Sequence, residues 1–418
     1  MVLFDREFLL GAATSAHQTE GNNIHSDFWA MEQVPYSLFR EPSGQAVDHY
    51  HRFREDIDLL AKAGLNAYRF TIEWARIQPQ KDCFDESEIQ HYREVLTECW
   101  QKKVTPVVTL HHFSSPKWLI EEGGWENPKT AEYFAAYAAR IVKDLGDLLG
   151  IVCTINEANM GIQIMRIMKE RMGQESLQVG VDFSEEVFKK QLTSLSEVFG
   201  GLDPRQINHF LTPRSPEGDR IIIEAHEKAR GAMKAVCPNL KIGLTLSLHD
   251  LQAMPGGERH AQEEFEEEFL HYLPYLEPDD FIGVQNYTRK QIGPDGVLPP
   301  PEGAELTQMG YEFYPQALGH VIRSVAAYWG KPILVTENGL ATADDNRRMA
   351  FIREALEGVY ACIQDGIPVK GYFYWSLLDN MEWMLGFKPT FGLIAVDRRI
   401  QERFPKKSLS YLGQFRQR

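Results

Sequence analysis

Two glutamates occupy positions suited to acid–base chemistry. Glu157 and Glu337 each follow a short apolar run, and each adjoins an asparagine, in the segments T-I-N-E and T-E-N-G. They stand 337 − 157 = 180 residues apart, so only the fold can bring them together. If it does, one carboxyl group can protonate a leaving oxygen while the other attacks or activates water, which is the chemistry of glycosidic bond cleavage. For each glutamate taken alone, membership of an ion pair is the alternative.

Polar and aromatic residues follow most of the other apolar runs as well. They are His17 and Gln18, Glu73, His111 and His112, then Gln285, Asn286 and Tyr287, and finally Trp375, while Arg69 lies inside the second run. Tryptophan rings can stack on the C–H faces of sugars. This role fits Trp375 and Trp383 best, because Glu382 stands between them in a single predicted loop. A purely structural protein has no reason to collect such side chains at so many run ends.

Other chemistries find less support. His49 and His51 form an H-x-H ahead of a helical pattern, where positions i and i+2 point to different sides. His111 and His112 are neighbours on a predicted strand, so their side chains point to opposite faces. The sequence contains no H-E-x-x-H, C-x-x-C or G-x-S-x-G motif. We therefore expect neither a metal nor a cofactor, and we interpret the acidic run 263–268 as a solvated helix face.

An alternation of strands and helices would have to position these residues. Eight apolar runs suit buried parallel strands: residues 8–16, 67–72, 105–110, 150–155, 241–246, 281–284, 332–336 and 369–375. Helical patterns lie between them, at residues 53–63, 86–101, 130–145, 220–236, 316–329 and 347–364. This alternation predicts an α/β fold, a single (β/α)₈ TIM barrel with extended βα loops over its C-terminal face, where the candidate residues would meet. A doubly wound open sheet is the alternative, although no G-x-G-x-x-G follows the first run.

One segment does not fit a short connection between a strand and a helix. Residues 160–219 mix Met-rich, acidic and polar stretches, which predicts a long loop or extra helices after the fourth strand. In a barrel such an insertion lies over the mouth, either with a role at the site or as a surface elaboration without one. We expect residues 1–418, including this insertion, to form a single domain.

The amino-acid composition limits the classes of binding partner and the cellular compartment that we expect. The 418 residues include 44 Lys and Arg against 59 Asp and Glu, a net charge of −15. This balance disfavours nucleic acid, whose phosphates require clustered basic side chains. No apolar run reaches the roughly 18 residues of a membrane span, and the start lacks the basic and apolar regions of a secretory signal. The five cysteines are typical of free thiols in a reducing compartment, so we expect a cytoplasmic protein without nucleic-acid or membrane partners.

Seven segments, in order, resemble glycoside hydrolase family 1, the β-glucosidase and β-galactosidase family. They are F-L-L-G-A-A-T-S-A-H-Q-T-E-G (8–21), Y-R-F-T-I-E-W-A-R-I (68–77), T-L-H-H-F (109–113), T-I-N-E (154–157), G-V-Q-N-Y-T-R (283–289), V-T-E-N-G (335–339) and Y-W-S-L-L-D-N-M-E-W (374–383). The resemblance runs nearly end to end. It implies a retaining exo-β-glycosidase whose substrates are a small β-glycoside and water.

The resemblance also implies a role for each candidate residue. Glu337 matches the family's nucleophile and Glu157 its acid/base, while Arg69 and Tyr287 match residues that contact the nucleophile. The matches on the sugar side are Gln18, His112, Asn156, Glu382 and Trp383 as ligands, Trp375 as a stacking platform, Gln285 in place of an asparagine, and Phe391 as an aromatic after the E-W loop. Retention requires the two carboxyl groups to lie roughly 5–5.5 Å apart. We expect Arg69 to lower the pKa of Glu337, and burial beside that charge to raise the pKa of Glu157.

Departures from the family pattern concern the leaving-group side. Ala158 replaces the proline of the usual N-E-P, Phe113 replaces a commoner tryptophan, and the stretches after Glu157 and at 385–390 do not match. Leaving-group specificity is therefore the least transferable property. A transglycosylase, in which an acceptor alcohol outcompetes water, is an open alternative. A non-catalytic sugar-binding barrel is another, although such a protein is expected to lose one carboxylate.

One loop indicates whether the sugar of the substrate carries a phosphate group. The family branch that cleaves 6-phosphoglycosides resembles a phosphate site with serine where Glu382 stands, and with lysine and tyrosine where Pro389 and Phe391 stand. A carboxylate repels a phosphate and suits free hydroxyls, which favours unphosphorylated β-D-glucosides, β-galactosides or β-fucosides. The nearby Lys388 leaves a 6-phospho-β-glycosidase as an alternative.

Overall fold

The computed structural model describes residues 2–173 and 185–417, and it contains the predicted barrel. Eight parallel strands close on themselves, each paired with its sequence neighbours and the last paired with the first. They are β1 (Leu9–Ala13), β2 (Ala67–Thr71), β3 (Thr105–His111), β4 (Ile151–Ile155), β5 (Lys241–Ser247), β6 (Phe281–Gln285), β7 (Ile333–Asn338) and β8 (Val369–Trp375). The closure excludes the open-sheet alternative.

The strand ends differ from the predicted ends where side chains bind locally. The first run was expected to reach residue 16, but β1 ends at Ala13. A short helix, Ala16–Thr19, takes up the last residue of the predicted run. The Thr19 hydroxyl donates to the Ser15 carbonyl at 2.7 Å, which fixes this turn. His17 and Gln18 therefore lie on this short helix and not on β1 itself. At the other strands the C-terminal ends carry the candidate residues, as predicted.

A helix follows each strand on the outside of the barrel. These are α1 (His49–Lys62), α2 (Glu86–Gln101), α3 (Lys129–Leu145), α4 (Pro216–Val236), α5 (Glu258–Phe265), α6 (Ala317–Ala326), α7 (Asp345–Gln364) and α8 (Lys407–Gly413). Side chains of Asp85, Ser215 and Asp344 accept hydrogen bonds from the first turns of α2, α4 and α7, which explains why those helices start where they do. Shorter helices in the loops are Asp27–Glu32, Trp74–Ile77, Lys117–Glu121, Leu273–Leu276 and the single turns Gly124–Glu126 and Trp383–Leu385.

The segment after β4 contains extra helices, as predicted. Helix Met160–Gly173 starts five residues after β4 ends; helix Glu185–Val198 and the turn Pro204–Gln206 follow later. The insertion ends at residue 215, four residues before the approximate boundary predicted at 219. Ser215 caps α4 and Pro216 occupies its first turn, where the missing N–H of proline costs nothing, so residues 216–219 belong to the barrel helix.

Two small sheets extend the loops at the barrel mouth. Strands Asp250–Ala253, Arg289–Gly293 and Gly296–Val297 form one sheet, and Ile394–Asp397 pairs with Glu402–Pro405 in another. Leu10, Val108 and Val335 are fully buried in the large apolar cluster between the strands and the helices, whereas Ala67, Val107 and Leu334 belong to a smaller cluster on the inward face of the strands. None of the helices within residues 2–173 and 185–417 combines the length and the apolar character needed to cross a bilayer.

The acidic run 263–268 is not simply a solvated helix face, so that expectation is wrong for two of its members. Glu264 and Glu268 are each only 2% exposed, and the helix widens to a π-helical turn at Glu266–Leu270. The Lys290 ammonium donates to Glu264 at 2.6 Å and to Glu268 at 3.2 Å, and the His249 ring lies 2.8 Å from Glu268. Buried carboxylates are tolerated here because the Lys290 ammonium and the His249 ring pair with them.

Candidate active site

Glu337 lies on β7 inside a set of hydrogen-bond donors from two other strands. It is 3% exposed. From β2, Arg69 donates Nη1 to its Oε1 at 2.5 Å, and Tyr287, just after β6, donates its hydroxyl to Oε2 at 2.6 Å. Gln285 Nε2, at the end of β6, also donates to Oε1, at 3.2 Å. Each carboxylate oxygen is therefore held, which fixes the rotamer of this side chain.

The pKa of Glu337 lies above its ordinary value, and opposing causes act on it. Burial raises the pKa because it removes water from the charged form, while the Arg69 charge and the hydrogen bonds from Tyr287 and Arg69 lower it. The predicted lowering of the pKa by Arg69 is confirmed, although burial outweighs it in the net shift. Sequence spacing alone does not report how completely a strand-end carboxyl is dehydrated.

Glu157 lies two residues past the end of β4 and has a different environment. It is 6% exposed, and its backbone has a φ of +44°, a left-handed conformation unusual for a residue other than glycine. Burial raises its pKa well above the ordinary value, and the negative charge of Glu337 raises it further; the Ser247 hydroxyl and Arg69 oppose the shift. The predicted direction for Glu157 is confirmed. The Arg69 charge and the Tyr287 hydrogen bond favour the ionised form of Glu337, and the resulting negative charge favours the protonated form of Glu157.

Asn156 and Gln285 link the two strands that carry the glutamates. Asn156 Oδ1 accepts from Arg69 Nη2 at 2.5 Å and from Gln285 Nε2 at 2.7 Å. Asn156 Nδ2, Gln285 Oε1 and His112 Nδ1 are buried and have no hydrogen-bond partner among residues 2–173 and 185–417. Buried polar atoms seldom stay unpaired, so these three point to a ligand that offers several hydroxyl groups at this position.

Further polar and aromatic side chains lie beside Asn156, Gln285 and His112. Gln18 Nε2 donates to the Met381 carbonyl at 2.7 Å and to Glu382 Oε2 at 3.4 Å. The His112 ring lies 5.4 Å from the ring of Trp375 and 6.0 Å from that of Trp383. Burial and the Glu337 charge raise the pKa of Glu382 to about 8, so its carboxyl can donate as well as accept a hydrogen bond near neutral pH.

Phe391 completes the set of predicted residues from the far side. Its ring is 6.1 Å from the ring of Tyr287, nearly perpendicular to it, and it packs with Trp375 in a small apolar cluster. Contacts thus connect Glu337 to Arg69 and Tyr287, Tyr287 to Phe391, and Gln18 to Glu382. His112 joins Trp375 to Trp383, while Glu157 joins the group through the charge of Glu337.

Hydroxyl groups of β5 belong to the site and were missed from the sequence. Thr245 Oγ1 accepts from the backbone N–H of Glu157 at 3.1 Å, and the Ser247 hydroxyl bonds the Glu157 carboxyl. A signal existed, because K-I-G-L-T-L-S carries hydroxyls two residues apart, on one face of an otherwise apolar strand. Its strength is low, since threonine and serine are common in strands for other reasons.

The histidine pairs are oriented as predicted. His49 is buried and its ring lies 2.7 Å from Asp56, whereas His51 is exposed and its ring lies 2.6 Å from Asp48. His112 faces the site, while His111 points away from it, and its Nε2 is 3.0 Å from the Ser115 hydroxyl. Neither pair brings two rings together on one ligand.

The chain matches known proteins over its whole length. It fits the model of glycosyl hydrolase family 1 at residues 2–169 and 280–418. β-Glucosidase A of Acetivibrio thermocellus is 28% identical, over 97% of this chain and 96% of its own. The bifunctional β-D-glucosidase/β-D-fucosidase of Bifidobacterium breve is 26% identical, over 99% of this chain and 98% of its own. The crystal structure of β-glycosidase BGL167 is 45% identical with a TM-score of 0.89, over 99% of this chain and 96% of that one.

Proposed function

The chain belongs to glycosyl hydrolase family 1 and is a retaining β-glycosidase, and we propose that Glu337 is its nucleophile and Glu157 its general acid/base. The observation that carries this proposal is the unequal environment of the two carboxyl groups. Arg69 and Tyr287 donate to Glu337 and favour its ionised form. The charge that results raises the pKa of Glu157, which favours the protonated form there.

In the first step, a Glu337 oxygen attacks the anomeric carbon as the bond to the leaving oxygen breaks. Glu157 gives its proton to that oxygen, so the aglycone departs as a neutral alcohol. The products are an ester between the sugar and Glu337, and an ionised Glu157. Arg69 and Tyr287 keep their hydrogen bonds to the attacking carboxylate and hold it in line with the anomeric carbon.

In the second step, Glu157 changes its role. The ester at Glu337 carries no charge, so the repulsion that raised the pKa of Glu157 is gone and its carboxylate is the stable form. It takes a proton from water as the water oxygen attacks the anomeric carbon and the ester bond breaks. Two displacements at one carbon return the original β configuration, with Glu337 ionised and Glu157 protonated again.

The substrate class we propose is an unphosphorylated β-D-glucoside, cleaved from its non-reducing end, with β-galactosides and β-fucosides as further substrates. The unpaired atoms of Asn156, Gln285 and His112 are available for sugar hydroxyls, together with Gln18 and Glu382. Trp375 and Trp383 offer aromatic faces to the ring. Lys388 is exposed and Glu382 contacts Gln18, so this loop is better suited to hydroxyl groups than to a phosphate.

In this proposal, the described parts of the insertion after β4, residues 160–173 and 185–215, border the leaving-group side. Helix Met160–Gly173 begins three residues after Glu157, and the guanidinium group of Arg214 donates to the Ala158 carbonyl at 2.6 Å. Shortening this segment should change selectivity among aglycones while the preference for the sugar stays the same. Unchanged aglycone selectivity in such a variant would count against this part of the proposal.

Azide rescue with a nitrophenyl β-glucoside tests both roles at once. In Glu157→Ala, the sugar still becomes attached to Glu337, and azide displaces it without needing a base; the product should be the β-glycosyl azide. In Glu337→Ala, azide can enter the vacated space and attack once, so the product should be the α-glycosyl azide. Reversed products would exchange the two roles, and two products of the same configuration would overturn the double displacement.

A further inference from the structure

The turn that holds Glu157 is conformationally unfavourable and must be held by its surroundings. Its φ of +44° lies in the left-handed region, which a residue with a Cβ atom rarely adopts. Two backbone hydrogen bonds tie the turn to β5: Glu157 N–H donates to Thr245 Oγ1 at 3.1 Å, and Ala158 N–H donates to the Thr245 carbonyl at 3.0 Å. Alanine supplies this second donor, which a proline at position 158 would lack.

Arg214 holds the other side of the same turn. Its Nη1 donates to the Ala158 carbonyl at 2.6 Å, its Nη2 donates to the Phe210 carbonyl at 3.2 Å, and its backbone N–H donates to the Gly161 carbonyl at 3.2 Å. The residue is only 4% exposed. Its planar guanidinium group, with donors in a fixed fork, reaches two carbonyls that one ammonium group could not satisfy in the same geometry.

The surroundings of Arg214 are rigid and shaped to accept it. The next residue, Ser215, starts α4, and its backbone N–H donates to Glu126 at 2.8 Å. On the other side, a Cβ atom added to Gly161 would lie 2.7 Å from both Cζ and Nε of Arg214. Glycine at 161 therefore leaves the space that the guanidinium group fills, which ties the first turn of helix Met160–Gly173 to this contact.

We propose that Arg214 is a positioning residue for Glu157: by fixing the Ala158 carbonyl it sets the direction in which the acid/base carboxyl points. The inference rests on the proposed role of Glu157. Arg214 does not touch the reacting atoms and acts only through the turn. Its loss should impair proton transfer to the leaving oxygen and leave the attack by Glu337 in place, so the effect depends on how much protonation the leaving group requires.

Two variants perturb this contact in different ways. Arg214→Lys keeps the charge but cannot donate to both carbonyls at once. Gly161→Ala adds a methyl group against the guanidinium group, although alanine is otherwise the better helix former, so it tests the same contact without removing any charge. Arg230→Lys is the matched control, because Arg230 is also buried, lies on α4, and donates to a carbonyl, that of Tyr275, away from Glu157.

The readout is kcat/KM for two aryl β-glucosides, one with a dinitrophenyl leaving group that departs without a proton and one with a phenyl leaving group that needs it. For Arg214→Lys and Gly161→Ala, the loss should be at least about 10-fold larger on the phenyl glucoside than on the dinitrophenyl glucoside. Arg230→Lys should show equal changes on both. Equal losses on both substrates in the Arg214 and Gly161 variants would overturn the proposal.

Glu157→Ala separates this inference from the role of Glu157 itself. This variant should show the strongest dependence of kcat/KM on the leaving group. If Glu157→Ala shows no such dependence, both the acid/base role of Glu157 and the inference about Arg214 are refuted. If Glu157→Ala shows the dependence and neither Arg214→Lys nor Gly161→Ala does, only the positioning role of Arg214 fails. Should Arg214→Lys not fold, Gly161→Ala alone decides the outcome.

Discussion

Removing one hydroxyl group from the site should move the pH dependence of catalysis by a predictable amount. Tyr287 donates to Glu337 Oε2 at 2.6 Å, and this hydrogen bond stabilises the ionised carboxylate. A hydrogen bond to a charged group contributes about 1.5–3 kcal/mol, and one pKa unit corresponds to about 1.4 kcal/mol. Tyr287→Phe should therefore raise the pKa of Glu337 by about 1–2 units.

The sign of the effect follows from which form is active. Glu337 must be ionised to attack, so activity is lost as the pH falls through its pKa, and the acidic limb of the kcat/KM profile reports that ionisation in the free enzyme. A higher pKa moves this limb to higher pH. Measuring kcat/KM for a nitrophenyl β-glucoside from acid to neutral pH, in the parent protein and in Tyr287→Phe, gives the shift directly.

Tyr311→Phe is the matched control for this measurement. The Tyr311 ring lies 6.4 Å from the Tyr287 ring, and the nearest side-chain partner of its buried hydroxyl is Thr307, not Glu337. Its removal deletes the same atom nearby without touching Glu337, so the acidic limb should stay where it is. An acidic limb that is unmoved, or moved to lower pH, in Tyr287→Phe would refute the reasoning about how Glu337 is kept ionised.

Three further expectations follow from the same structure. Glu337→Gln should lower the pKa of Glu157 by about 2 units. The reason is that a charge roughly 5.5 Å away contributes about 3 kcal/mol at an effective dielectric constant of about 20. Infrared spectroscopy can follow the titration of the Glu157 carboxyl, and an unchanged pKa would contradict this expectation. Lys290→Met should reduce the free energy of unfolding in urea by about 3 kcal/mol, since Glu264 loses its cation, whereas Lys331→Met, at an exposed pair with Glu277, should cost less than about 1 kcal/mol. In a crystal structure the carboxyl groups of Glu157 and Glu337 should be roughly 5–5.5 Å apart, and a gap near 8 Å or more would exclude direct attack by Glu337.

The barrel and most of the site were predictable because they depend on repeated patterns. Eight apolar runs separated by amphipathic helices favour one architecture, and that architecture gathers the residues at strand ends. Glu157 and Glu337 could be selected without knowledge of any contact, since each lies within two residues of the end of its run and adjoins an asparagine. The end of β1 was less predictable, because the turn at Ser15 depends on a local hydrogen bond from Thr19.

What could not be predicted depends on the partners of individual side chains. A run of glutamates has the same sequence pattern whether it is solvated or paired, and Glu264 and Glu268 are buried only because Lys290 and His249 reach them from other loops. The pKa of Glu337 is raised because dehydration outweighs Arg69, and the degree of dehydration is a property of the closed pocket. The contact between Arg214 and Ala158 joins two ends of an insertion whose path no periodic pattern describes.

Trapping the covalent intermediate tests the central claim most directly. A dinitrophenyl deoxyfluoro-β-glucoside should react once and stay attached, because the fluorine slows both steps while the good leaving group restores the first. Mass spectrometry of the digested protein should find one sugar on the peptide that contains Glu337, and Glu337→Gln should remain unlabelled. A sugar attached to Glu157, or rapid release of the leaving group without any attached sugar, would contradict a double displacement through Glu337.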